Sequence, residues 1–213
     1  MNLYPWEYFN LKTPSPINNI YTFTKELTGD KCECEYSILN DAPMWVNIPF
    51  HNNIIYYNNK YMLAKYMVYH EYAHILCNDT IYKKFNPENA SKKLIFLILA
   101  EYNAIKTALK LAHKHKDTES VIDTILSIFI YMISSKYDER TEHYIARKWL
   151  LYDYEFLKIV KQYYDIETLL KYANIWENII EKSHKQKLKK CINKLSLYDK
   201  IVFRLNVFKK YEY

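Results

Sequence analysis

Apolar and polar positions follow two different patterns on either side of residue 60. Before it, "CECEYSIL", "MWVNIPF" and "NNIIYYNN" are short runs rich in β-branched and aromatic residues, broken by Asp-Ala-Pro and His-Asn-Asn. Runs of this length between turn formers predict a small sheet of two or three strands. A short helix is expected near 19–28, after the proline-punctuated "LKTPSPINN". Beyond residue 60 apolar positions recur at helical spacing nearly to the end. One helix is predicted over 60–77 and a second over 86–116, opened by Asn86 as N-cap and Pro87 in the first turn. Further helices are expected over 119–135, 138–151, 153–163, 165–172, 176–190 and 196–210. Strands first and helices afterwards predict an α+β fold, a small N-terminal antiparallel sheet packed on a mainly helical body. The body is drawn as residues 1–150, and residues 151–213 as a helical C-terminal extension or a continuation of the same domain.

The helix over 60–77 carries "VYHEYAHILCND", with His70, Glu71 and His74. Residues four apart share one helical face, so the two imidazoles can point at one ion. Glu71 is turned about 100° away and can reach a water beside the metal without ligating it. That is the HExxH arrangement, two zinc ligands and a general base, and its competing reading is a pair of structural histidines.

A catalytic zinc needs a third protein ligand. Glu101 interrupts the apolar run "LIFLILAEYNAIKTALKLA" without a charged helical neighbour. A buried carboxylate must be paired or bound to metal, which makes Glu101 the candidate, with a distant lysine partner as the other reading. Ala104 and Ala108, one and two turns on, would let its helix approach the HExxH helix closely. Glu142 and His143 stay open as alternative ligands, while Arg140, His143 and Tyr144 are candidates to stabilise a transition state.

Composition narrows the rest. Glycine occurs once, at Gly29, which argues against glycine-rich phosphate loops and dinucleotide fingerprints. The four cysteines, Cys32, Cys34, Cys77 and Cys191, form neither a disulfide framework nor a CxxC pair, so reduced thiols in a cytoplasmic protein are expected. Cys32 and Cys34 lack the partner pair a zinc site needs. The start resembles no signal peptide, and "LIFLILA" and "ILSIFIYMI" are too short to span a bilayer, so no membrane is expected as a partner. The net charge of +6 is uneven: residues 182–213 hold ten Lys/Arg against Asp199 and Glu212. A basic tail can attract nucleic acid or an acidic protein, and more often forms a solvated helix face. Oligomeric state has no signature here.

HExxH followed by a helix bearing E-x-x-A-x-x-x-A resembles the gluzincin metallopeptidases, and among them the compact ImmA/IrrE-type proteins of bacteria, phages and mobile elements. The matching segments are "NNIIYYNN", "HEYAHILC" and "EYNAIKTAL", with Glu101 27 positions after His74. The resemblance implies a zincin-like domain, Zn2+ held by His70, His74 and Glu101, and Glu71 as catalytic base. It implies a zinc-dependent endopeptidase acting on a specific intracellular protein, such as a mobile-element repressor. The family usually places Asp or Asn after the E-x-x-A alanine, where this chain has Ile105, and Asn103 is the available substitute. A fainter likeness runs through "ERTEHYIARKWLL" to a helix-turn-helix-like segment with Leu169, Ile175 and Ile180 at apolar positions. Trp176 stands there in place of the usual small N-cap. The alternative function is therefore an inactive zincin-like protein that binds DNA or a protein through its basic C-terminal part. For the peptidase, the strand before the HExxH helix is expected to offer an edge to a substrate peptide.

Overall fold

A computed structural model describes residues 14–40, 42–48, 52–84, 90–134, 141–165, 167, 186 and 189–197, with backbone alone at 78–84, 90–91 and 129–134. Among the described residues the first element is α1 (Ile20–Thr28), whose N-cap Asn19 accepts a hydrogen bond from the Thr22 N–H. Gly29 ends the helix at φ 58°, a left-handed conformation that costs glycine nothing and leaves its N–H bonded to the Lys25 carbonyl. Three strands follow: β1 (Glu33–Tyr36), β2 (Met44–Trp45) and β3 (Ile54–Tyr57).

The expected antiparallel sheet is a mixed one. The order is β1-β3-β2, with β3 antiparallel to β2 but parallel to β1, Glu33 lying opposite Ile54. Solvation explains the placement. β3 carries fully buried Ile55 and takes the centre, while β1 keeps Glu33 and Glu35 exposed, as suits an edge. Asn52 and Asn53 turn the chain into β3 at φ 47° and 58°, a region asparagine tolerates better than other side chains. The strand before the HExxH helix is therefore central and offers no edge.

Helix α2 (Lys65–Lys84) starts five residues later than its pattern predicts. The Asn58 side chain accepts from the Lys60 N–H, and Ile17 N–H bonds the Leu63 carbonyl while Pro16 bridges Ala64. These bonds tie Leu63 and Ala64 to the N-terminal segment and delay the helix. Helices α3 (Ala90–Lys114), α4 (Thr118–Ser134), α5 (Thr141–Leu150) and α6 (Tyr154–Val160) complete the described body.

α3 is the central helix, packed on α2, α4, α5 and α6. Ala73 of α2 and Ala104, Ala108 and Ala112 of α3 belong to one core cluster, all fully buried, and such small side chains let packed helices approach closely. Phe156 and Val160 of α6 enter this same core. A buried polar knot fastens α6 to α3. Asp153 caps α6 by accepting from Phe156 N–H, receives the Tyr102 hydroxyl, and pairs with Lys106 at 2.9 Å.

Asn86, Pro87 and Arg140 lie outside the described residues, as do Leu169, Ile175, Trp176, Ile180 and nearly all of the basic C-terminal part. Among the described residues no helix is long and apolar enough to cross a membrane.

Candidate metal centre

Helix α2 presents His70 and His74 one turn apart, with ring centroids 4.7 Å apart and planes at 88°. α3 runs against that face and brings Glu101 to them. The His70 and His74 Nε2 atoms are 3.1 Å apart, His74 Nε2 lies 3.3 Å from Glu101 Oε1, and His70 Nε2 lies 3.6 Å from Glu101 Oε2. Among the described residues, only this trio gathers three or more candidate metal-ligating side chains within 4.8 Å. Cys34 spends its thiol on the Thr24 hydroxyl instead, and burial raises its pKa and that of Cys32.

The donor set fits a small divalent cation by a test of length. Ligands about 2.0–2.1 Å from a tetrahedral zinc stand about 3.3 Å from one another; the histidine nitrogens and the His74–Oε1 pair lie near that value, and His70 meets the other oxygen of the same carboxylate at 3.6 Å. Glu101 Oε2 is buried and makes no hydrogen bond. A buried carboxylate oxygen without a partner is costly, and an ion between the three side chains would satisfy it.

The electrostatics agree. Burial pushes the His70 pKa down to about 3, and the charge of His74 helps, although Glu101 opposes it. For His74 burial acts in the same direction, but the charge and hydrogen bond of Glu101 and the charge of Glu71 outweigh it, and the pKa rises. Burial by itself would raise Glu101, but His143 and His74 hold it well below the usual carboxylate range. Both shifts favour a charged His74–Glu101 pair, and a proton held by His74 is what a metal ion has to displace.

Glu71 is 8 % exposed and lines the same cavity. Burial pushes its pKa up to about 8, with Glu101 adding and His74 and a hydrogen bond from the Val46 backbone subtracting. That bond ties the carboxylate to the residue just after β2.

His143 comes from the first turn of α5 and lies 3.2 Å from Glu101 Oε1, the oxygen that also faces His74. It orients Glu101. Neighbouring Glu142 does not line the cavity, and Tyr144 is buried in a separate cluster with Ile98 and Ile145. Asn103 does not take up the supporting role left by Ile105: its amide donates to the Leu99 carbonyl on its own helix, 2.7 Å away. Ile105 itself forms apolar wall.

The cavity encloses about 200 Å³. β2 and its flanks supply Pro43, Met44, Trp45 and Val46, while α4 supplies Thr124 and Ser127. Arg147, one turn after His143, completes the wall and was not foreseen from the sequence. The i, i+4 spacing of His143 and Arg147 inside "EHYIARKW" is the signal that could have found it.

Fold and site together define an α+β chain with a buried two-histidine, one-carboxylate centre and an adjacent buried glutamate. No protein-family model, curated protein or solved structure matches this chain.

Proposed function

We propose that this chain is a zinc-dependent endopeptidase. The supporting observation is the set of 3.1, 3.3 and 3.6 Å separations among His70, His74 and Glu101, with Glu71 on the same helix as the histidines and facing the same cavity. When bound there, zinc supplies Lewis acidity: it makes hydroxide available near neutral pH and polarises an acyl oxygen. His70 and His74 offer neutral Nε2 atoms and Glu101 a carboxylate, which leaves one position of a four-coordinate site open to water or substrate. A structural zinc site is usually closed by cysteines, and none lines this cavity.

Glu71 accepts a proton from the attacking water at its carboxylate and returns it to the leaving amine. Without metal its pKa is raised, and a cation on the neighbouring donors brings it back down toward the working range. The Val46 N–H fixes the carboxylate so that the transfer needs no rearrangement. His143 keeps Glu101 in its ligating orientation. Burial of the centre excludes bulk water and strengthens each of these interactions. The candidate edge for an extended substrate is β2, whose Met44 and Trp45 line the cavity. The substrate is a protein or peptide, and a cytoplasmic setting accords with four free thiols.

The test is zinc per chain by elemental analysis on wild type, Glu101→Ala and Glu71→Gln, followed by mass spectrometry of a peptide library after incubation. The expected result is near-stoichiometric zinc in wild type and Glu71→Gln, a large loss in Glu101→Ala, and cleavage by wild type alone. A wild-type chain that holds no zinc after metal is offered would remove this reading.

A further inference from the structure

Trp45 belongs to two surfaces at once. It lines the cavity of the metal centre, and its ring stacks on that of Tyr56 with centroids 5.7 Å apart and planes at 19°. Side chains alternate along a strand, so the burial of Ile55 sends Tyr56 to the opposite face of the sheet. Strand pairing extends that face in both directions, because Tyr56 lies opposite Trp45 on β2 and opposite Glu35 on β1. Glu35, Tyr56 and Trp45 form one row across three strands, about 4.8 Å from strand to strand, and the row ends at the cavity. Glu33 stands two residues before Glu35 on the same face, opposite Ile54.

The row has a definite chemistry. Tyr56 and Trp45 are half-buried, which leaves ring surface within reach of a ligand. Glu33 and Glu35 are exposed and enter no ion pair among the described residues. Aromatic faces attract cations, and a carboxylate beside them adds a charged acceptor. A guanidinium suits both groups, since it stacks on a ring and donates in its own plane, and an ammonium suits them less well. The cavity at the end of the row is marked independently as a ligand site by Glu101 Oε2, buried there without a hydrogen bond. Two strand spacings put Glu35 about 10 Å from Trp45, the length of about three extended residues.

We infer that this row is a subsite for an arginine of the bound peptide, so that the substrate class is a peptide with a basic residue within about three positions of the scissile bond. This rests on the metallopeptidase reading above.

The experiment uses zinc-loaded full-length protein and two sets of short peptides. One set is anchored to zinc by an N-terminal mercaptoacyl group and the other by a C-terminal hydroxamate, so the chain leaves the metal in either direction. Each set carries Arg, citrulline or Glu at the second or third residue from the anchor, citrulline having the shape of arginine without its charge. Affinity is read by titration calorimetry, and zinc is measured in the same samples. In one set the Arg probe should bind roughly 3- to 30-fold tighter than the citrulline probe, the combined range of a surface cation–π contact and a surface ion pair. The Glu probe should bind weakest, and concentrated salt should shrink the Arg advantage. Glu35→Gln, a change at an exposed position that the fold tolerates, should remove part of that advantage, and adding Tyr56→Leu should remove most of the rest. Equal affinity for Arg and citrulline in both sets overturns the subsite alone, as does an Arg preference untouched by either substitution. Zinc-loaded protein that binds neither set overturns the peptidase reading with it, whereas a chain that takes up no zinc overturns the metal centre as well.

Discussion

Replacing Asp153 by alanine is expected to be among the costliest single changes in the described body. One carboxylate, 1 % exposed, does three jobs. It accepts from the Phe156 N–H as the cap of α6, receives the Tyr102 hydroxyl, and faces Lys106, itself 6 % exposed, at 2.9 and 3.1 Å. Burial would raise its pKa, yet the hydrogen bonds from Tyr102, Lys106 and Phe156 bring it from an ordinary 3.8 to about 2. That depression corresponds to roughly 2–3 kcal/mol of stability at neutral pH. Truncation also removes a helix cap worth about 1 kcal/mol and leaves Lys106 with a buried charge. Breaking buried pairs costs about 3–5 kcal/mol in total. Glu155, 2.6 Å from the Lys106 ammonium but 60 % exposed, softens the loss toward the lower end.

Urea unfolding followed by circular dichroism, with chelator present so that metal contributes nothing, measures this loss at pH 7. Asp153→Asn separates charge from cap, because asparagine also caps well, and should cost less than Asp153→Ala. The pH dependence has a definite sign. A depressed carboxylate stabilises the fold above its unfolded pKa, and that stability disappears as pH falls through the folded value. The gap between wild type and Asp153→Asn should therefore close between pH 4 and about 2. A loss below about 1 kcal/mol for Asp153→Ala, with a gap independent of pH, would refute the account of the knot.

Three further outcomes follow from the site and the helix contact beneath it. Ala108→Leu forces a large side chain between α2 and α3 and should cost about 1–3 kcal/mol in urea unfolding, with weaker zinc binding because the ligands sit on those two helices. His143→Gln removes the imidazole that orients Glu101 and should weaken zinc affinity roughly 10- to 100-fold in a chelator competition, while stoichiometry at saturation is kept. Because Glu101 raises the His74 pKa, zinc uptake in weakly buffered solution should release protons, and affinity should fall as pH drops through that raised pKa. Affinity independent of pH across that range would mean that the donors are already deprotonated.

The helical spacing in "HEYAH" and the lone acidic residue in the apolar run around Glu101 were legible as separate signals, because both depend on periodicity and on the cost of burying a charge. The α+β class was readable for the same reason: β-branched runs stop where 3.6-residue periodicity starts. Other features depended on contacts between segments far apart in the chain. The central position of β3 follows from which strand buries its side chains, and the late start of α2 follows from hydrogen bonds to residues 16 and 17. Local pattern contains neither. Spacing alone does not choose among Glu142, His143 and Tyr144; the packing of α5 turns His143 to Glu101 and sends Tyr144 to Ile98. For Arg147 the only signal is its i, i+4 spacing from His143, and a charged helical residue reads as solvated until a neighbouring helix buries it. By itself the sequence determined which residue types could ligate a metal and on which helical faces they sit. The tertiary structure alone decided which faces meet, because a three-ångström distance between side chains on different helices is set by how their backbones pack.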